Sequence, residues 1–243
     1  MRYALYSDCG GREENEDAVR VFANDAYICA ILADGLGGHG GGALASQTVI
    51  DTIADLLQST DANAITGETL KEWCSLANSR VLEKQTSVCH MKTTMVLLFY
   101  IRNSGKVILA HVGDSRGYYF KDAENCFCTF DHSVSRMAVL SGEISMDAIR
   151  NHVDRNKLLR CIGGSDSVKT EIDEILIEPQ ADNAFLLCSD GFWEYVTEDI
   201  MENILQKTED PSVWLDTMKM YLDKVAPAEN DNNSAVAIMI REE

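Results

Sequence analysis

Two Asp-Gly steps stand where side chains could do chemistry. Asp34-Gly35 follows the apolar run YICAILA and Asp190-Gly191 follows AFLLCS, so each sets a carboxylate at the end of a buried strand. The glycine leaves the adjoining backbone open to close approach. One such step reads as readily as a turn or a helix cap; two in one chain favour a shared purpose. Three more acidic positions stand on turns beside apolar strands: Glu16-Asp17 in GREENEDAVRVF, Asp114 in ILAHVGDSRGYYF and Asp231 in ENDNNSAVAIMI. If they converge, they make a cluster of oxygen ligands with few imidazoles or thiolates, and hard ligands select Mg²⁺ or Mn²⁺ over zinc. Carboxylates at close range cannot all stay ionised without cations between them.

The glycine-rich loop also offers a decoy. Gly35-Leu36-Gly37-Gly38-His39-Gly40 matches G-x-G-x-x-G, but Asp34 before it would repel a pyrophosphate. The acid 20 residues on, Asp55, falls in a helical pattern instead of ending a second strand. The Gly-Lys-Ser/Thr ending of a P-loop is missing too.

The elements that must position these residues can be read from periodicity. Strand-like runs lie at 3–7, 18–23, 27–33, 94–102, 106–112, 116–121, 169–177, 183–189 and 235–240, and helix-like runs at 43–58, 68–85, 197–207 and 211–225. Thr197 reads as an N-cap and Pro211 as a first-turn residue. Strands arrive in blocks before and between the helices, an order that predicts antiparallel sheets with helices laid on them. With 243 residues, three prolines and no Pro/Ser-rich linker or repeat, a single domain over 1–243 is expected. The net charge of −18 argues against nucleic acid and anionic membrane surfaces as partners. No signal peptide or long apolar span is visible, and of the eight cysteines Cys29, Cys74, Cys161 and Cys188 sit in apolar surroundings, so a reduced cytoplasmic protein is expected. Cys126 and Cys128 have no second pair at zinc-site spacing.

Eight segments in order carry a resemblance to a family: GGREENED at 10–17, ADGLGGH at 33–39, KTT at 92–94, HVGDSR at 111–116, DHS at 131–133, NKLLRCIG at 156–163, LLCSDGFW at 186–193 and DNNS at 231–234. Together they resemble the metal-dependent type 2C protein phosphatases (the PPM family), in its compact bacterial form. The resemblance implies an α+β fold: a four-layer α-β-β-α sandwich of two mainly antiparallel sheets flanked by helices. It implies a phosphoserine/phosphothreonine protein phosphatase with two Mn²⁺ or Mg²⁺ ions held by Asp17, Asp34, Asp190, Asp231 and the Gly35 carbonyl. Glu16 would act through water, Asp114 would join a third, weaker metal site, and Arg12 would grip the phosphate. Metal-held water would attack phosphorus in line, with no covalent phospho-enzyme. The expected partner is a phosphorylated protein, opposed by a Ser/Thr kinase. Segment 131–163 resembles the family's flap, and its Arg136, Arg150, Arg155, Lys157 and Arg160 could face an acidic phosphopeptide or a plain solvated surface.

Each residue has a plainer reading. Arg12 could pair with Glu13, Glu14 or Glu16, Asp114 could be a turn residue, and His132 could brace its loop rather than move protons. Phe192 and Trp193 read as core, and Thr93 and Thr94 as the start of a strand with inward hydroxyls. The chain also departs from the family. Leu36 stands where some members carry a general-acid His, with His39 three residues further on, Ala43 replaces a common Glu and Lys92 a small residue. The competing reading is a catalytically degenerate member that acts as a phosphoprotein- or partner-binding module; the full set of acids favours the enzyme.

Overall fold

The computed structural model describes residues 1–37 and 41–241. In chain order the strands and helices are β1 (Arg2–Asp8), β2 (Ala18–Ala23), β3 (Tyr27–Ala33), β4 (Gly35–Leu36), α1 (Gly41–Ser59), α2 (Gly67–Lys84), β5 (Lys92–Thr93), β6 (Met95–Ile101), β7 (Lys106–Val112), β8 (Arg116–Lys121) and β9 (Glu124–Cys128). They continue with α3 (Val134–Leu140), β10 (Glu171–Leu176), β11 (Asn183–Cys188), α4 (Asp190–Trp193), α5 (Glu198–Leu205), α6 (Pro211–Val225) and β12 (Asn233–Ile240). One sheet has the order β1-β12-β11-β8-β9 and the other β10-β7-β6-β3-β2, and each neighbouring pair is antiparallel.

The near-continuous apolar strands follow from burial on both faces, since side chains alternate along a strand. In β3, Ile28, Ala30 and Leu32 face the other sheet and, with Val96 of their own sheet, join Phe185, Leu187 and Ile238 across it. Cys29, Ile31 and Ala33 turn the opposite way, against Val49 and Ile53 of α1 and Leu70 and Trp73 of α2. Strand β12 does the same: Val236 and Ile238 pack between the sheets, while Ala235 and Ala237 pack under Trp214, Met218 and Leu222 of α6. Three apolar layers thus separate four structural ones, and the α-β-β-α sandwich is the observed fold.

Most predicted elements recur within two residues of their expected ends. Thr197 does precede α5, but its side chain makes no capping hydrogen bond. The stronger cap is at α6, where Asp210 accepts from the Ser212 and Val213 amides and Pro211 opens the helix. Strand β9 was not foreseen. Its hairpin with β8 turns through Asp122-Ala123, both at positive φ (52° and 65°), where an Asn-Gly or Asp-Gly signature would have announced it. No helix among the described residues is long and apolar enough to cross a membrane. Leu187, wholly buried between the sheets one turn from the acids, tests the central layer. Leu187→Ala should cost about 2–5 kcal/mol in urea unfolding, and a loss under about 1 kcal/mol would contradict this packing.

Candidate active site

Antiparallel pairing brings the chemistry to one end of the sandwich. Asp8 pairs with Asn233, Ala18 with Ala33, Met95 with Val112 and Cys188 with both Arg116 and Ala235. The segments beyond these pairs, carrying Arg12, Asp17, Asp34, Asp114, Asp190 and Asp231, therefore meet at a common edge. They border an open cleft of about 520 Å³, lined by Arg12, Asp34, Asp114, Asp190 and Asp231 among others. Asp17 lies below it, buried, with Oδ1 enclosed and unpartnered.

Burial, and after it mutual repulsion, raises the pKa of Asp17, Asp34, Asp114 and Asp190. Burial, then neighbouring Asp231 and Glu16, pushes the Asp17 carboxyl up to about 7 despite hydrogen bonds from Ser189 and Ser234. Asp190 is pushed up to about 7 by burial, then by Glu194, Asp231 and Asp17, and lies within hydrogen-bonding reach of Asp34. Asp34 is raised well above the ordinary carboxylate range by burial and by Asp190, Asp17, Asp114 and Asp231. Burial and Asp190 likewise raise Asp114. These are oxygen donors whose charge calls for divalent cations, and the buried Asp17 Oδ1 supplies an acceptor no protein group satisfies. The residues present fit a hard divalent ion.

Several of the acidic loops are held by neighbouring side chains, some of which the sequence did not single out. Ser189 donates to Asp17 Oδ2 at 2.9 Å while accepting from the Ser234 amide at 3.0 Å. The Asp34 backbone is clasped by Thr94, whose hydroxyl accepts from the Asp34 amide at 3.1 Å and whose amide donates to the Asp34 carbonyl at 2.8 Å. Thr94 in turn bonds Ser115 at 2.7 Å, so the inward hydroxyls expected at 93–94 tie two acidic loops together. Asn232 donates to the Cys9 and Glu14 carbonyls, each at 2.9 Å, and accepts from the Glu16 amide at 2.8 Å, which shapes the loop bearing Arg12. Trp193 is core, as expected, but its indole N–H also donates to the Asp114 carbonyl at 2.9 Å. Gly191 must be glycine because a Cβ there would stand 2.1 Å from the Asn232 carbonyl oxygen. Ser189 stands beside Asp190 in sequence yet holds Asp17, and Asn232 stands beside Asp231 yet holds the loop before Asp17, so adjacency in sequence gave no signal of these bonds.

Other placements sharpen or revise the expectations. Asp190 does not end β11; it opens the single turn α4 after Ser189. Arg12 passes over its adjacent glutamates and pairs with Asp231 at 2.9 Å, remaining half exposed. Glu16 points toward the start of α1, where the Gly42 and Ala43 amides bond its carboxylate. Of the flap cations, Arg150 pairs with Glu198, Arg155 with Glu194, Lys157 with Asp154 and Arg160 with Glu171, while Arg136 stacks on Phe130. That pairing supports the structural reading of the flap charges over a free basic face. His39 lies outside the described residues.

A two-sheet sandwich with buried acids converging on one cleft has the oxygen-donor set that suits a hard divalent cation. The pattern of the Protein phosphatase 2C family matches residues 10–232. The serine/threonine phosphatase stp of Listeria monocytogenes is 32% identical over 239 residues, spanning 95% of this chain and 92% of its own. The crystal structure of Stp1 from Staphylococcus aureus superposes with a TM-score of 0.86 at 25% identity, covering 100% of this chain and 96% of that one. The catalytic domain of PstP, solved in complex with two manganese ions, matches with a TM-score of 0.78 at 26% identity over 98% of each chain. The chain belongs to the protein phosphatase 2C family and is a metal-dependent serine/threonine protein phosphatase.

The raised carboxyls give a pH test. An Asp near 3.9 when unfolded and about 7 when folded favours the folded state only while protonated. That contribution is full below about pH 4 and is lost as pH rises through about 7. In EDTA the melting temperature should fall from pH 5 to pH 8, less steeply in Asp17→Asn, and Mn²⁺ should restore it at pH 8. Identical slopes for the two proteins in EDTA would contradict the repulsion.

Proposed function

We propose that Asp17, Asp34, Asp190 and Asp231, with the Gly35 carbonyl, hold two divalent ions, Mn²⁺ or Mg²⁺. Asp114 contributes to a third, weaker site. The observation that carries this reading is the convergence of these acids on one cleft, above the buried and unpartnered Asp17 Oδ1. When bound, such ions supply Lewis acidity, which acidifies water and offsets charge on phosphoryl oxygens.

The chain's own residues do the rest. Arg12 stands at the rim with five N–H donors, of which Nη2 is engaged by Asp231. Its planar fork suits two phosphoryl oxygens. The Ser189, Thr94 and Asn232 bonds fix the acids before substrate arrives, so little reorganisation is left for the reaction itself. Glu16 acts through water on the metal side while its carboxylate caps α1, which anchors the glycine-rich loop. Leu36 lines the cleft and has no proton to give, so that position does not protonate the leaving serine or threonine oxygen. None of the eight free thiols is needed as a nucleophile.

The substrate is a phosphorylated protein, and the physiological opponent is a Ser/Thr kinase. Free thiols throughout suit a reducing compartment, and a cytoplasmic location is part of this reading. The whole of 1–243 acts as one catalytic domain.

Hydrolysis of a phosphothreonine peptide should require Mn²⁺ or Mg²⁺ and stop in EDTA; activity that ignores chelation would sink the two-metal reading. Arg12→Ala removes charge-assisted hydrogen bonds and should lower kcat/KM by about 10- to 100-fold, with Mn²⁺ still bound by calorimetry.

A further inference from the structure

A second cluster of ligand-type side chains lies behind the acidic one. His111 and His132, both buried, stack with ring centroids 4.8 Å apart and planes 7° from parallel, and Glu171 lies beside them. Three such groups could in principle hold a metal, but their hydrogen bonds oppose it. His111 Nε2 meets the Phe130 carbonyl at 2.8 Å, and a carbonyl only accepts, so that nitrogen carries its proton. His132 Nδ1 accepts from the Gly113 amide at 3.1 Å, which leaves the proton on Nε2, facing Glu171 Oε1 at 3.4 Å without hydrogen-bond geometry. His132 therefore has no lone pair to give a cation. Arg160 already balances Glu171, at 2.9 Å.

What the cluster does instead follows from where His132 reaches. Its ring accepts from the Gly113 amide, and its own amide donates back to the Gly113 carbonyl at 2.9 Å. Gly113 immediately precedes Asp114 and has φ +106°, with no room for a Cβ against Thr94, so the turn's shape depends on outside support. On its other side, the His132 carbonyl accepts from the Leu159 amide at 2.7 Å, and Ser133 bridges to Leu158, which lines the cleft. One residue thus joins the Asp114 turn to the flap. Stacking on His111 and burial hold the ring in place, and burial with the neighbouring His111 keeps it neutral, its pKa down to about 4.

We propose that His132 is a positioning residue for the phosphatase reaction: it clasps the Gly113-Asp114 turn to the Leu158-Leu159 segment so that Asp114 enters the cleft in one fixed geometry. The proposal rests on the assignment of Asp114 to the metal site. It separates two parts of the ring, and two substitutions separate them in turn. His132→Asn keeps an acceptor near the Nδ1 position; His132→Gln keeps a donor near Nε2 and loses the clasp.

Turnover of a phosphothreonine peptide at saturating substrate and the exchange rate of the Gly113 amide in metal-free protein should be measured together. In His132→Ala and His132→Gln, kcat should fall roughly 10- to 100-fold, the size a small misplacement at a reacting centre produces. Gly113 exchange should quicken in both, and His132→Asn should recover most of both quantities. In an Asp114→Asn background, His132→Ala should cost little more, because both changes act through one group. Rescue by Gln instead of Asn would overturn the clasp, as would an undiminished loss in the Asp114→Asn background or unchanged Gly113 exchange in His132→Ala. Should His132→Ala fail to fold, the Asn–Gln comparison decides alone. Asp114→Asn with normal turnover would instead bring down the assignment beneath the proposal, and it is read without any His132 variant.

Discussion

Burial of several carboxylates close to one another is the constraint on which this structure turns. Asp17, Asp34, Asp114 and Asp190 all hold their protons more tightly than free aspartates, chiefly through burial and then through one another. Left to itself, a chain would splay such groups apart into water. Keeping them together demands a scaffold whose cohesion exceeds the cost of burying them. The three apolar layers of the sandwich provide it, with strands such as β3 and β12 buried on both faces. A divalent cation in the cleft would offset that cost, converting the least favourable part of the fold into a favourable one.

Rigid support is built in short steps from strand ends. Ser189 reaches Asp17, Thr94 holds the Asp34 backbone, Asn232 gathers the loop around Arg12, and Trp193 reaches the Asp114 carbonyl. Behind them Arg116, buried, binds Asp131 through two bonds of 2.8 and 2.7 Å and lies 3.6 Å over the Trp193 ring. A buried ion pair of this kind is weak evidence for stability. Its value here is connection: it links the strand after Asp114, the turn before His132 and the indole that holds Asp114. Every acidic loop is thereby tied to a second loop, and none depends on its own turn alone.

Much of this was legible from residue order. The strands and helices followed from apolar periodicity because both sheet faces are buried and the helices are amphipathic. The acids were legible because Asp-Gly after an apolar run is an unusual way to end a buried strand, and because it occurs at both Asp34 and Asp190. The β8–β9 hairpin escaped because Asp122-Ala123 adopts positive φ without glycine at its second position. The partner of Arg12 escaped for a different reason. Glu13, Glu14 and Glu16 are its neighbours in sequence, but Asp231 is its neighbour in space, across the β1–β12 pairing. The support from Ser189 was equally hidden, since a serine beside one aspartate gives no sign that it bonds another 172 residues away.

The charge balance bears directly on substrate selection. A surface at −18 repels polyanions at long range, and that repulsion is screened within about 8 Å at physiological salt. Four of the five flap cations are already committed to carboxylates on the protein, and the fifth lies over an aromatic ring. The flap therefore offers no free basic face, and at the cleft the attraction for an anion would come from Arg12, itself paired with Asp231, and from cations held among the acids. Such an arrangement suits a single phosphomonoester presented close to the cleft. An extended acidic polymer would meet the same Arg12 but also the whole surface field around it.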